Sequence, residues 1–192
     1  MLAGSTSSGE ADRLVVDFAN TVACPGCRGG DAFASSTEAS RWIRRRLPNS
    51  GRRLAPGDTR ALVRFRGELR RLLESAVNAT RPPISTVGAI NRAATRSLSW
   101  SALRWNRGRW EVEELGTEGS GSQRLIALTA RAAIVLVGKA RPLPVRKCEG
   151  PGCVHFLLAH RSQQRWCSPT GCGNRARVQR HYRKARAASR TR

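Results

Sequence analysis

The clearest pattern of apolar and polar positions lies between residues 58 and 78. Six apolar side chains recur there at spacings of three and four, as on one face of an α-helix: Leu62, Phe65, Leu69, Leu72, Leu73 and Ala76. The arginines of this segment lie largely off that stripe. The pattern predicts a long helix that packs on the core and turns a basic face to solvent.

Weaker patterns predict three more helices. Ser35 and Glu38 fit a capping box, which favours a helix that runs through Ile43. A short helix is predicted over about residues 85–94, and an apolar helix over about residues 123–139.

The run LVVDFANTV at residues 14–22 is too short to assign to helix or strand. It contains Asp17 and Asn20, which need hydrogen-bond partners if the segment is buried. These two polar side chains are the candidate ligand site of the N-terminal part.

A different pattern occupies residues 98–115, where Trp100, Trp105 and Trp110 flank the turn signal Asn-Arg-Gly. The alternation that follows the turn predicts a β-hairpin. Tryptophans beside arginines can stack on nucleic-acid bases, but they more often cover the core of a small domain. We therefore expect the hairpin tryptophans to cover the core.

The fold class that follows is mainly α with a small β-hairpin. The C-terminal pairs Cys148/Cys153 and Cys167/Cys172 have the spacing of a zinc finger. We therefore expect a helical N-terminal domain and then a C-terminal four-cysteine zinc finger that ends in a basic helix. The predicted divisions are a disordered N-terminus at 1–13, the helical domain at 14–140, a linker at 141–146, the finger at 147–188 and a tail at 189–192.

The C-terminal cysteines are spaced as in a structural zinc site, with C-x4-C and C-x4-C separated by 13 residues. The ligands are Cys148, Cys153, Cys167 and Cys172, and their Gly- and Pro-containing inserts suit sharp turns. Four thiolates complete a tetrahedron, so we expect one structural zinc ion with no open position for catalysis. His155 or His160 could replace a ligand, and an unmetallated or disulfide-bonded arrangement is a further alternative.

Cys24 and Cys27 form a separate CPGC pair. Such a pair can be a redox motif, half of a metal site or two incidental thiols. Incidental or partly buried thiols are favoured here, because no βαβ pattern surrounds the pair and no second pair is close in sequence.

Charge points to a polyanionic partner. The chain has 35 basic and 13 acidic residues, a formal net charge of +22. Residues 146–192 carry 12 basic residues and one acid, so half of the net charge lies in about a quarter of the chain. Nucleic acid is the commonest partner of such a surface.

The segment after Cys172 is rich in helix formers and in arginine. Val178, Tyr182 and Ala185 share one face, which can pack on the zinc turns. The candidate nucleic-acid contacts are Arg165, Asn174, Arg175, Arg177, Arg180, His181, Arg183 and Lys184, with a simple helix-capping role as the alternative for Asn174.

Two motifs around these cysteines, Arg-Trp-Cys-Ser at 165–168 and Cys-Gly-Asn-Arg at 172–175, resemble the CGNR zinc finger family. LVVDFANTV and the arginine-rich helix around residues 64–73 resemble the ABATE domain that usually precedes this finger. The resemblance covers about residues 14–186. It implies a mainly helical N-terminal domain and a zinc finger in a bacterial transcription regulator, described as stress-related. The CPGC pair departs from the family pattern.

DNA is the expected partner, and an RNA-binding or ribosome-associated module is the alternative. An enzyme that uses the N-terminal domain is a minor alternative, because no nucleophile–base pair or phosphate loop is present, and we expect no enzymatic activity. No segment predicts a signal peptide or a membrane span, so we expect a cytoplasmic, nucleoid-associated protein. A homodimer would suit a single finger of this size, but no interface signature supports it.

Overall fold

In the computed structural model, the described residues are 8–25, 27, 29–46, 54, 56–97, 99–116, 120–139, 142–159 and 163–189. The predicted disordered residues 1–7, His160 and the tail residues 190–192 lie outside them.

The N-terminal part contains α1 (Ser8–Ala19), α2 (Ser36–Arg46), α3 (Pro56–Val77), α4 (Ile84–Thr95), the strands β1 (Ser99–Asn106) and β2 (Arg109–Gly116), and α5 (Gly121–Lys139). The C-terminal part contains β3 (Val145–Lys147), β4 (Phe156–Leu158), a π-helical turn (Pro169–Gly173) and α6 (Asn174–Ser189). The fold is mainly helical with small antiparallel strand pairs, as predicted.

Helix α3 is the centre of the core, as its apolar stripe predicts. It contacts α1, α2, α4, α5 and β3, and Leu62, Leu69 and Leu73 are fully buried. Beside them, Phe18 makes edge-to-face contacts with Phe33, Trp42 and Phe65, with ring centroids 5.3–5.9 Å apart. None of the helices within the described ranges is long and apolar enough to cross a bilayer.

The N-terminal segment differs from the prediction. Residues 8–13, for which we expected disorder, form the first turns of α1, and the ambiguous run after them continues the same helix as far as Ala19. Glu10 in the first turn suits the positive end of the helix dipole. Val15 and Phe18 are fully buried against the other helices, so tertiary packing stabilises a helix that a nine-residue pattern cannot reveal.

The hairpin forms as predicted, but its tryptophans do not cover the core. Trp105 pairs with Trp110 across β1 and β2, and the two side chains are 57 % and 64 % exposed. Their rings pack against each other with centroids 4.9 Å apart. The expectation of core burial is therefore wrong for this pair, while the side chain of Trp100 lies outside the described residues.

The C-terminal part is packed on the N-terminal part. Val145 of β3 and Phe156 of β4 are 2 % and 1 % exposed and belong to the same apolar core as α1 and α3. Asn20, just after α1, donates from Nδ2 to the Phe156 carbonyl, and its Oδ1 accepts from the Phe156 amide, both at 2.8 Å. These two bonds join the end of α1 to β4. Strand β3 also begins at Val145, inside the segment that was expected to be a linker.

Candidate metal centre and nucleic-acid surface

The first cysteine turn runs from Cys148 to Cys153. Gly150 is required by close approach, because a Cβ atom there would lie 2.7 Å from Cys172 Cβ and 3.0 Å from its Sγ. Gly152 has a φ of +66°, in the left-handed region that favours glycine. The Cys153 amide donates to the Gly150 carbonyl at 3.0 Å and closes the turn. Both glycines therefore allow two sulfurs to face the second turn.

The second turn carries Cys167 and Cys172. Ser168 fixes it twice, because its Oγ accepts from the Gly171 amide at 3.0 Å and its carbonyl accepts from the Gly173 amide at 2.9 Å. The π-helical turn then leads directly into α6. As a result, the helix that follows Cys172 has its orientation fixed by the cysteine turn.

The four sulfurs lie where a tetrahedral zinc ion needs them. They are all within 4.8 Å of one another, and Cys167 Sγ lies 3.8 Å from Cys153 Sγ and 3.5 Å from Cys172 Sγ. A tetrahedron with Zn–S bonds of about 2.3 Å has edges of about 3.8 Å. The donor set fits one structural zinc ion, and the predicted ligands are all brought together.

Backbone amides stabilise sulfur charge in this cluster. Cys148 Sγ accepts from the amides of Gly150 at 3.4 Å and Cys167 at 3.3 Å. Burial opposes ionisation of Cys148, but these bonds outweigh it and lower its pKa. Burial raises the pKa of the Cys153 thiol to about 11, and the neighbouring Cys148 and Cys172 act in the same direction. Only a cation that stabilises thiolates can hold four deprotonated sulfurs at neutral pH.

The CPGC pair lies beside this cluster. Cys24 and Cys27 form a disulfide, and Cys27 Sγ lies 3.6 Å from Cys153 Sγ and 3.9 Å from Cys172 Sγ. The sequence favoured incidental thiols, whereas all six cysteines of the chain meet in one region.

An ion pair anchors the loop that carries the pair. Arg66 of α3 donates from Nη1 and Nη2 to the two carboxylate oxygens of Asp31, at 2.6 and 2.7 Å. Burial opposes ionisation of Asp31, but hydrogen bonds from Arg66 and from the Phe33 amide outweigh it and lower its pKa. The loop is thus tied to α3 at the centre of the fold.

Two of the predicted nucleic-acid residues have contacts within the protein. The Arg175 guanidinium lies against the cluster, with Nη2 3.1 Å from Cys172 Sγ and 3.8 Å from Cys27 Sγ. Arg165 donates from Nε to Glu149 at 2.6 Å, and its guanidinium lies over the Trp166 ring, 5.8 Å from the centroid. Both cations therefore contribute to the finger itself.

The outer face of α6 is basic and exposed. At 100° per residue, Arg177, Arg180 and Arg183 lie within an arc of about 120°, on the side away from Arg175. All three are exposed, and Arg177 Nη2 also reaches the Pro169 carbonyl at 3.4 Å. Asn174 and His181 are exposed as well, while the side chain of Lys184 lies outside the described residues.

The inner face of α6 does not pack as the sequence suggested. Val178 and Tyr182 are 46 % and 65 % exposed. They line a shallow groove with Pro151 instead of filling it. The basic helix is thus held at its first turn, by Cys172 and Arg175, and extends outward from there.

The comparisons with known proteins agree with this architecture. Residues 12–140 match the ABATE family model, described as "Putative stress-induced transcription regulator". The chain belongs to the ABATE family. Residues 145–185 match the CGNR zinc finger family model. No curated protein matches the chain. The chain is therefore an ABATE protein with a zinc-binding CGNR finger, as the motifs predicted.

The predicted ligand residues of the ABATE domain have structural contacts. Asp17 forms an ion pair with Arg46 at 2.5 Å, and both polar ends of the Asn20 side chain are bonded to Phe156. They line a small depression between α1 and β4 that also includes Gln164 and Cys167. This depression lies at the junction of the ABATE domain and the finger.

Sequence reasoning missed the position of Cys24 and Cys27 and the role of Asn20. All three contact finger residues more than 120 positions away, and no local pattern reports such contacts. The available signals were the CPGC pair itself and His155, two residues after a zinc ligand.

Proposed function

We propose that this ABATE protein is a DNA-binding transcription regulator. In this proposal, the outer face of α6 contacts duplex DNA, and the ABATE domain senses a ligand or mediates assembly. The observation that carries the proposal is the exposed row of Arg177, Arg180 and Arg183 on a helix that the zinc cluster orients.

Electrostatics support this surface. Among the described residues, no acidic side chain forms a salt bridge with Arg177, Arg180 or Arg183. Their charges are therefore available to phosphates, which supply most of the non-specific affinity of DNA-binding proteins through counterion release. Exposed His181 and Asn174 lie on the same helix and are the candidates for base contacts.

The junction supports a coupled role for the ABATE domain. Asn20 connects α1 to β4, and the Arg70 guanidinium donates to the carbonyls of Ala19 and Val154, at 2.9 and 2.7 Å. A ligand or partner that moves the end of α1 would move the finger with it. The proposal includes no catalytic activity, because Asp17 and Asn20 are both occupied by structural contacts.

The test is the salt dependence of DNA binding by the zinc-loaded full-length protein. The triple variant Arg177→Ala, Arg180→Ala, Arg183→Ala should bind duplex DNA more weakly. The slope of log K against log salt is negative, and each lost phosphate contact reduces its magnitude by about 0.9, so the loss of three contacts reduces it by about 2.7. Fluorescence anisotropy at several salt concentrations measures both effects.

The matched control removes the same number of positive charges from another part of the surface. Arg41, Arg44 and Arg45 are exposed on α2, and replacing all three by alanine should leave the slope nearly unchanged. Equal slopes for the two triple variants would mean that α6 is not the contact surface.

RNA is the second candidate partner, and the exposed tryptophans favour it. Trp105 and Trp110 offer ring faces beside arginines, as proteins that stack on unpaired bases do. Competition between duplex DNA and a structured RNA separates the two. If RNA displaces DNA, and Trp105→Ala abolishes that advantage while leaving DNA binding intact, RNA is the partner.

A further inference from the structure

A second group of metal-binding side chains lies beside the finger cluster. Cys24, Cys27, Cys153 and His155 each offer one donor atom, and these atoms lie within 4.8 Å of one another. Three sulfurs and one imidazole nitrogen form a common tetrahedral zinc set. Cys153 belongs to both groups.

The His155 ring is prepared for such a role. Its Nε2 lies 3.2 Å from the Val22 carbonyl. Because a carbonyl can only accept a hydrogen bond, this contact suits the neutral tautomer with its proton on Nε2, in which the lone pair of Nδ1 is available to a metal ion. Histidines that bind metals commonly donate their other ring N–H in this way.

Hydrogen bonds and an ion pair hold the segments around the group in place. Arg66 and Asp31 hold the loop of Cys24 and Cys27, and the Ala32 amide donates to the Thr21 carbonyl at 2.8 Å at the base of that loop. On the finger side, the Cys148 amide donates to the His155 carbonyl at 2.9 Å. Both halves are therefore positioned before a cation binds.

We propose that Cys24, Cys27, Cys153 and His155 form a second zinc site when Cys24 and Cys27 are reduced, with the Cys153 sulfur bridging the two zinc ions. A thiolate sulfur has enough lone pairs to bind both ions. The second ion links the ABATE domain to the finger, which goes beyond the DNA-binding role proposed above.

Nearby cations offset the charge of such a centre. Six thiolates and two zinc ions carry a net charge of −2. The Arg175 guanidinium contacts Cys172 and Cys27, and Arg70 binds the carbonyl of Val154, between Cys153 and His155. These two arginines match the excess charge.

Reduction must precede binding, because the structure contains the Cys24–Cys27 disulfide. A cellular dithiol can supply the two electrons and two protons: the S–S bond breaks, two thiols form, and the dithiol leaves as its own disulfide. Zinc then displaces both thiol protons. Occupancy of the second site therefore depends on redox state.

The test is the zinc content of the purified full-length protein, measured by mass spectrometry with and without a phosphine reductant. Reduced wild type should hold about two zinc ions per chain, and protein with the disulfide intact about one. His155→Gln should lose the second ion and keep the first, whereas His181→Gln, on the exposed face of α6, should keep both. Cys24→Ser with Cys27→Ser should hold one ion in either redox state.

A magnetic measurement tests whether the Cys153 sulfur bridges the two ions. With cobalt(II) in place of zinc, two ions that share a thiolate couple magnetically, so the moment per ion should be lower in wild type than in His155→Gln. A single zinc ion in reduced wild type would overturn the proposal. Two ions in both wild type and His155→Gln would also overturn it, by placing the second ion elsewhere. If the double cysteine variant does not fold, the two histidine variants still decide.

Discussion

Replacing Asn20 by alanine tests how firmly the finger is joined to the ABATE domain. The substitution removes both 2.8 Å hydrogen bonds to the Phe156 backbone. It leaves an amide and a carbonyl without these partners in a strand where Phe156 is 1 % exposed. Each unsatisfied buried group costs about 1–3 kcal/mol, and two groups lose their partners here. Because the half-buried Asn20 site admits some water, we expect the free energy of unfolding to fall by about 2–4 kcal/mol.

Urea denaturation of the zinc-loaded protein, followed by circular dichroism, measures this loss. Asn91→Ala is the matched control, since Asn91 is exposed on α4, and it should change the free energy of unfolding by less than about 0.5 kcal/mol. If Asn20→Ala costs no more than Asn91→Ala, these bonds do not hold the finger in place.

Three further predictions follow from the same geometry. Gly150→Ala should destabilise the protein by about 1–3 kcal/mol in urea denaturation, since its Cβ would lie 2.7 Å from Cys172 Cβ. Gly138→Ala is the control, because a Cβ there meets open space, and it should be neutral or stabilising. Equal effects of the two substitutions would contradict the close approach at Gly150. Asp31→Asn should destabilise at neutral pH by about 3–5 kcal/mol, because it leaves Arg66 buried without its anion. The pKa of Asp31 is lowered in the folded state, so its contribution is present above the unfolded pKa of about 3.9 and is lost as pH falls through the folded pKa; a deficit that does not shrink at low pH would refute this reasoning. Removing zinc with a chelator should lower the melting temperature of the whole chain, because Phe156 belongs to the main core; a helical domain that melts unchanged would show that it folds independently of the finger.

Much of the fold follows from local pattern. The stripe from Leu62 to Leu73 has the period of an α-helix, and the structure contains that helix. The cysteine spacing defines the zinc donors, because each short insert must turn sharply whatever surrounds it. Both signals lie within a few residues of the chain, where period and turn chemistry are decisive.

The parts that escaped prediction depend on distant contacts. Asn20 and the CPGC pair meet finger residues more than 120 positions away, and α1 is stabilised by packing rather than by its own sequence. Val178 and Tyr182 share a face of α6, but periodicity alone does not show whether anything covers that face. Exposure of Trp105 and Trp110 is likewise set by the position of the hairpin.

The most direct test of the proposed regulator is selection from a random duplex DNA library by the zinc-loaded full-length protein, at near-physiological salt to suppress simple charge attraction. The account predicts an enriched sequence that is lost in the triple arginine variant of α6, and the symmetry of that sequence would report a monomer or a dimer. Retention of duplex DNA without any enriched sequence, or equal enrichment by the triple variant, would contradict it.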